Sequence, residues 1–194
     1  MRYGGIGKVL LITLAVIFII AVMAFSWFRN GYDRAVAMDE AVNEAWSNVD
    51  TALQRRFDLI PNLVNTVKGY AEHEKGIFEG LAEARTKYFA NTSREGKIEA
   101  ANELSGVLSR LLMLQENYPV LKADQNFLAL MANLEGTENR INVQRIRYNE
   151  VAKALNSYRR SFFGAFFCSL VGVEKAPYFE AGEQARTEVP KVEF

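Results

Sequence analysis

Carboxylates and a single histidine are the side chains that could give this sequence acid–base or metal chemistry. Glu72-His73-Glu74 is the one cluster of this kind. At 3.6 residues per turn, neighbours on a helix point about 100° apart, so its side chains do not converge on one ion. Glu116, Glu135 and Glu138 could form a carboxylate site inside a helical bundle, but the Glu-x-x-His pair typical of such sites is missing. We therefore interpret Glu72-His73-Glu74 as exposed surface and predict no metal site in either group.

The sequence also lacks the motifs of the common catalytic classes. It has no Gly-rich phosphate loop, no G-x-S-x-G, no H-E-x-x-H and no cysteine pair. Cys168 is the only cysteine, which excludes an intramolecular disulfide. We interpret Arg55-Arg56 and Arg159-Arg160 as solvated or ion-paired faces rather than anion sites. The sequence predicts no catalytic residues and no cofactor, and an enzyme that uses the bundle carboxylates is the least favoured alternative.

An apolar stretch over residues 9–28 predicts where the protein resides. It contains no charged residue, and at about 1.5 Å per residue it spans the roughly 30 Å core of a bilayer as a helix. A cleaved signal peptide would have a shorter apolar core and end in small residues, whereas this stretch ends in Phe25-Ser26-Trp27-Phe28. We predict a short tail over residues 1–8 and an uncleaved transmembrane helix over residues 9–28.

The orientation of this helix is left open by its flanking charges. Arg2 and Lys8 precede it, and Arg29 and Arg34 follow it, so the positive-inside rule is close to a tie. The short basic leader resembles a signal-anchor and favours an N-terminus inside, with the following domain outside the cytoplasm.

Length and charge limit the remaining possibilities. The 194 residues allow one anchor and one domain of about 160 residues. The 23 basic and 23 acidic side chains balance, which gives no indication of a nucleic-acid partner.

Helical periodicity dominates after the anchor and predicts four amphipathic segments. They cover residues 32–58, 61–90, 94–118 and about 40 residues from Lys122 onward. Short connections between them favour an all-α fold, an up-and-down four-helix bundle with long helices over residues 29–163. The last segment follows a heptad pattern typical of coiled coils, with the polar residues Thr137 and Gln144 inside it.

Several residues predict where these segments begin and end. Asp58 and Pro61 interrupt the first pattern, which predicts a tight turn at 58–62 with a kinked continuous helix as the alternative. We expect Ser93 to cap the third segment and Pro119 to end it.

A run of twelve uncharged residues, 162–173, follows the last segment and is too short to span a membrane. Its interaction candidates are Phe162, Phe163, Phe166, Phe167 and Leu170. The run could cap the bundle, contact a neighbouring subunit or lie in a membrane interface. Residues 164–194 are predicted to be this apolar segment and an extended C-terminal tail.

Several strings of the sequence resemble the LemA family. Ala45-Trp46-Ser47-Asn48-Val49-Asp50 is followed by a second string, Arg55-Arg56-Phe57-Asp58-Leu59-Ile60-Pro61-Asn62-Leu63-Val64, and further matches cover nearly the whole chain. The motif residues are Trp46, Arg55, Arg56, Asp58, Pro61, Asn62, Tyr118, Pro119, Glu138, Asn139 and Arg140. Where the family commonly has Phe-Pro, this sequence has Phe162-Phe163, so we expect the last helix to run on.

The resemblance implies an N-terminally anchored, single-pass protein of the bacterial cell (inner) membrane with a four-helix bundle and no catalytic residues to transfer. It also implies a link to membrane shaping, through a magnetosome relative, and to a membrane metalloprotease. Our first hypothesis is a non-enzymatic scaffold that self-assembles and organises or shapes the membrane. The alternative is an adaptor or regulator of a membrane metalloprotease. Expected partners are membrane lipid, further copies of the chain and, under the alternative, the protease.

Overall fold

A computed structural model describes residues 4–70 and 74–180, and all regular structure in these ranges is helical. The helices are α1 (Gly4–Lys68), α2 (Lys75–Ala90), α3 (Arg94–Leu114), α4 (Pro119–Lys122), α5 (Gln125–Arg160) and α6 (Phe162–Val171), with a 3-10 turn at Gln115–Asn117. The all-α prediction is confirmed for this part of the chain. The cluster residues Glu72 and His73, and the tail beyond Glu180, lie outside the described residues.

Helix α1 runs from the apolar stretch through Pro61 to Lys68, so the predicted tight turn at 58–62 is wrong and the continuous helix is correct. Proline inside a helix removes one hydrogen bond and costs about 3 kcal/mol. Here Pro61 itself is exposed, while Ile60 and Leu63 on either side of it are buried. Burial of these two apolar side chains offsets a cost of this size.

The boundaries of α3 agree with the prediction at its start and differ at its end. Ser93 caps it, since its hydroxyl accepts the N–H of Gly96 at 3.1 Å. The helix ends at Leu114 in the 3-10 turn, and Pro119 opens α4 instead of ending α3. Proline suits a first helical turn because the N–H it lacks would have no partner there.

Asp124 begins α5 by accepting the N–H of Phe127 at 2.8 Å. That hydrogen bond, followed by one from the hydroxyl of Tyr70, lowers the pKa of the Asp124 carboxyl. At the other end, α5 stops at Arg160, so the expectation that the last helix runs on is wrong. The reason is Ser161, whose backbone is extended and whose hydroxyl accepts the N–H of Gly164 at 3.2 Å, capping α6.

The chain divides into two compact units. The core unit comprises residues 44–152 and those from 177 onward, described to residue 180. Its buried side chains follow the predicted apolar faces and include Val49, Leu53, Phe57, Leu63, Leu81, Tyr88, Leu104, Leu111, Leu134, Ile141 and Tyr148.

The anchor unit comprises residues up to 43 and residues 153–176. Its described part contains a helix long and apolar enough to cross a membrane, with the large apolar side chains from Leu10 to Phe28 exposed. Further along α1, Ala35 and Val42 are fully buried. Gly31, between these stretches, is helical.

Candidate functional site: an aromatic surface beside the anchor

Helix α6 carries apolar side chains on two faces, and only one face is buried. Phe167 and Cys168 are each 1% exposed. By contrast, Phe162 is 86% exposed, and Phe163, Phe166 and Leu170 are each more than half exposed. Soluble surfaces rarely leave a contiguous apolar patch of this kind without a partner.

The buried face of α6 packs against the end of the apolar stretch of α1. The ring of Phe167 lies 5.5 Å from Trp27 and 5.6 Å from Phe28, centre to centre. Phe163 contacts Trp27 edge-on at 5.0 Å, and Phe166 contacts Phe28 at 6.5 Å. Edge-to-face contacts at such distances add about 0.5–1.5 kcal/mol each to the free energy of burial.

We define the aromatic surface as the exposed members of this group: Trp27, Phe28, Phe162, Phe163, Phe166 and Leu170. Trp27 and Phe28 are themselves 50% and 40% exposed. All five interaction candidates thus lie on α6. Phe167 is buried, and the other four are exposed on the surface.

Gly31 allows α6 to approach α1 closely. A Cβ at this position would overlap the ring of Phe167. The carbonyl of Gly31 also accepts the hydroxyl of Tyr158 at 3.2 Å, and the guanidinium of Arg34 lies 4.8 Å above the Tyr158 ring. The absence of a side chain at Gly31 therefore makes room for the ring of Phe167.

Polar contacts hold the chain after α6. Gly172 ends the helix in the left-handed conformation, with φ of 79°. The carbonyl of Val173 then accepts Nε of Arg159 at 3.3 Å. Asn156 binds the backbone of Ala176 twice, donating to its carbonyl at 2.8 Å and accepting its N–H at 3.0 Å. Asn156 is one of the two buried polar side chains among the described residues, and these bonds satisfy its amide.

An open groove of about 710 Å³ lies beside the aromatic surface in the anchor unit. Trp27, Phe163 and Phe167 line one part of it, and Arg34 and Asn30 line another. The groove therefore offers apolar rings together with a cation and an amide.

The other buried polar side chain is Arg56, in the core unit. Its Nη1 lies 2.7 Å from Oε2 of Glu138 and donates to the hydroxyl of Ser105 at 3.1 Å. Burial lowers the pKa of Arg56, Glu138 opposes that shift, and the charge of Arg145 adds to it. The motif residues Arg56 and Glu138 thus form an ion pair between α1 and α5.

Arg55 and Arg140 line a cleft of about 200 Å³ in the core unit. Thr137 and Gln144, the polar residues of the heptad pattern, line the same cleft. These two positions are half-buried, so they border solvent-accessible space instead of a dry seam.

The remaining motif residues are not gathered into one site. Trp46 packs edge-on against Tyr148 at 5.5 Å and stacks on Phe179 at 6.0 Å. Tyr118 is half-buried and donates its hydroxyl to Glu74 at 3.4 Å. Five others are exposed: Asp58, Pro61, Asn62, Pro119 and Asn139.

Sequence reasoning did not identify Asn149 and Asp50 as structural polar residues. Asn149 donates to the carbonyl of Phe179 at 2.9 Å and accepts its N–H at 3.0 Å. Asp50 accepts the hydroxyl of Tyr88 at 2.6 Å and Nζ of Lys97 at 2.9 Å. Asp50 ends the first matched string, but nothing in the sequence indicated its partners.

The three bundle carboxylates are not assembled into a site. Glu116 pairs with Lys122 at 2.9 Å, Glu138 pairs with Arg56, and Glu135 is exposed. Within residues 4–70 and 74–180, no group of three or more His, Cys, Asp or Glu residues could hold a metal ion.

Comparison with known proteins identifies related sequences. The model of the LemA family matches residues 45–194. Magnetosome proteins MamQ 1 and MamQ 2 of Paramagnetospirillum magneticum are each 25% identical over 195 residues, covering 86% of this chain and 71% of theirs. Magnetosome protein MamQ of Magnetospirillum gryphiswaldense is 24% identical over 206 residues, covering 92% of this chain and 75% of its own.

Proposed function

The chain belongs to the LemA family, and on that premise we propose that it is a membrane-anchored structural protein that self-associates and organises or curves the bilayer. The aromatic surface carries this proposal. An apolar face of this kind beside a helix able to cross a membrane is suited to contact with lipid or with another copy, and it offers no polar group for catalysis.

The proposed architecture is an antiparallel four-helix bundle joined to a single-pass anchor. Contacts within the core unit support it. Phe57 of α1 stacks on Tyr88 of α2 at 4.2 Å, Asp50 pairs with Lys97 of α3, and Arg56 pairs with Glu138 of α5. We assign residues 9–28 to the membrane, 29–163 to the bundle and 164–194 to the apolar segment and tail.

We place the protein in a bacterial cell membrane, with the soluble part outside the cytoplasm. The apolar length of α1 supports the membrane assignment, and the short basic leader supports the orientation. The similarity to proteins named for the magnetosome is in keeping with a structural rather than a catalytic role.

The first test is the native mass of the full-length protein in mild detergent, measured by light scattering with the detergent contribution subtracted. Self-association predicts a discrete assembly of several chains. A monomer at all protein concentrations would refute self-association, and crosslinking for a protease partner would then test the adaptor alternative.

Phe166→Asp is the matched variant for this measurement, because Phe166 is exposed on α6. Phe167→Asp is unsuitable, since Phe167 is buried and its loss would disturb the fold of the anchor unit. A mass that does not change in Phe166→Asp would exclude the aromatic surface as the contact between copies.

A further inference from the structure

We propose that the aromatic surface inserts into the bilayer, so that α6 is a second membrane-contacting helix which lies in the interface of one leaflet. This inference rests on the membrane anchoring in the proposed function but not on self-association. The partner it commits to is the lipid surface itself.

Continuity with the anchor is the first argument. Trp27 and Phe28 end the apolar stretch of α1, where tryptophan is typical of the boundary between hydrocarbon and headgroups. The rings of Phe163 and Phe166 contact these two residues directly. If α1 crosses the membrane, the exposed face of α6 therefore lies at the depth of that boundary.

The attachment of α6 to α1 is the second argument. The face that carries Phe167 and Cys168 is already buried within the anchor unit, and Gly31 permits the close contact. Only the opposite face is free to bind, and helix α6 contains no charged residue that would oppose its burial in lipid.

Basic residues beside the aromatic surface provide the third argument. Arg160 precedes α6 and Arg29 follows the apolar stretch of α1, and both side chains are exposed. Arginines in such positions extend to the headgroup phosphates while their aliphatic stems remain against apolar surface. Aromatic rings with arginines next to them in the chain are typical of segments that lie in the interface.

The test measures the depth of α6 in vesicles of phosphatidylcholine and phosphatidylglycerol that contain the full-length protein. A polarity-sensitive fluorophore is attached at Phe162→Cys in a Cys168→Ala background. Quenching is measured with nitroxides on the lipid acyl chains and with iodide in the water. The control carries the fluorophore at Met113→Cys, on an exposed position of α3 in the core unit.

We expect several-fold greater lipid quenching at position 162 than at position 113, and the opposite order for iodide. Ser169→Cys, a second exposed position on α6 that removes no large side chain, should behave like position 162. Quenching by iodide alone at both α6 positions would overturn the inference. Protection from both quenchers would also overturn it, because α6 would then be covered by a second copy of the chain.

These outcomes are separable from those of the proposed function. A monomer whose α6 is quenched by lipid would refute self-association and support insertion. An assembly whose α6 is protected from both quenchers would support self-association and refute insertion.

Discussion

Replacing Glu138 by glutamine would leave the guanidinium of Arg56 buried without its counter-charge. Arg56 is 6% exposed, and its other close contacts are the hydroxyl of Ser105 and the like charge of Arg145. Removal of one member of a buried ion pair costs about 3–5 kcal/mol. The side chain of Glu138 is 35% exposed, so we expect the lower end of this range, about 3 kcal/mol.

The assay is urea unfolding of the full-length protein in mild detergent, followed by helical circular dichroism. With a slope of about 1–3 kcal/mol per molar urea, the midpoint should fall by about 1–3 M. Glu116→Gln is the matched control. Glu116 also pairs with a cation, Lys122, but both side chains are more than half exposed, so its loss should cost less than about 1 kcal/mol.

A double variant, Arg56→Met with Glu138→Leu, separates the cost of an orphaned charge from the value of the pair. Burial lowers the pKa of Arg56 despite the attraction of Glu138, so desolvation outweighs that attraction. We therefore expect the double variant to unfold within about 1–2 kcal/mol of wild type. The reasoning is refuted if Glu138→Gln unfolds at the same urea concentration as Glu116→Gln, or if the double variant is no more stable than Glu138→Gln.

Three further expectations follow from local contacts. Gly31→Val should force α6 away from α1 and expose Cys168, whose burial also raises its pKa. Since overpacking costs about 1–3 kcal/mol, the alkylation of Cys168 should become about fivefold or more faster. Asp124→Asn should reduce the acid sensitivity of the melting temperature. The lowered pKa of Asp124 gives stability that is present above the ordinary value of about 3.9 and lost as the pH falls through the lower folded value. Asn149→Ala should lower the free energy of unfolding in urea by about 1–3 kcal/mol, because two backbone groups lose their partner.

Each expectation has its own comparison. Gly136→Val, where a Cβ meets nothing within 4 Å, should not alter the alkylation rate, and an equal effect of both glycine variants would contradict the packing argument. Equal losses of melting temperature in wild type and Asp124→Asn between neutral and acid pH would contradict the pKa argument. Asn133→Ala removes only a bond to Ala129 in the same helix; if Asn149→Ala costs no more than this, the bonds to Phe179 contribute nothing.

The sequence predicted the helical class and an apolar helix long enough to cross a membrane, because these depend on composition and periodicity that one sequence displays. It favoured a tight turn at 58–62 and gave the continuous helix through Pro61 only as the alternative. Proline signals a break locally, and the neighbouring burial that compensates for it depends on other helices. The end of α5 was mispredicted because the prediction relied on the absence of a proline at position 163. It did not consider that Ser161 could cap a new helix and so end α5.

The interaction candidates on α6 were named from the sequence without their arrangement, and Trp27 and Phe28 of the aromatic surface were not among them. The five α6 positions were identified by their apolar character alone. Which of them are buried depends on Gly31 of α1, more than a hundred residues earlier, and no pattern within the run carries that information. The pairing of Arg56 with Glu138 was equally hidden, because ion pairs between distant segments leave no periodic signal.

The bonds made by Asn149 and Asn156 have a consequence for which substitutions the protein can accept. The side-chain amide of an asparagine can donate an N–H and accept at its oxygen at the same time. Each side chain therefore replaces a peptide group as the partner of one backbone position, Phe179 for Asn149 and Ala176 for Asn156. These hydrogen bonds involve only the backbone N–H and carbonyl of the partner residue. These bonds by themselves exclude only proline at positions 176 and 179, because proline has no N–H to donate. The stacking of Phe179 on Trp46 is a separate constraint on its side chain. Pro177 lies between these two positions, where neither asparagine binds the backbone.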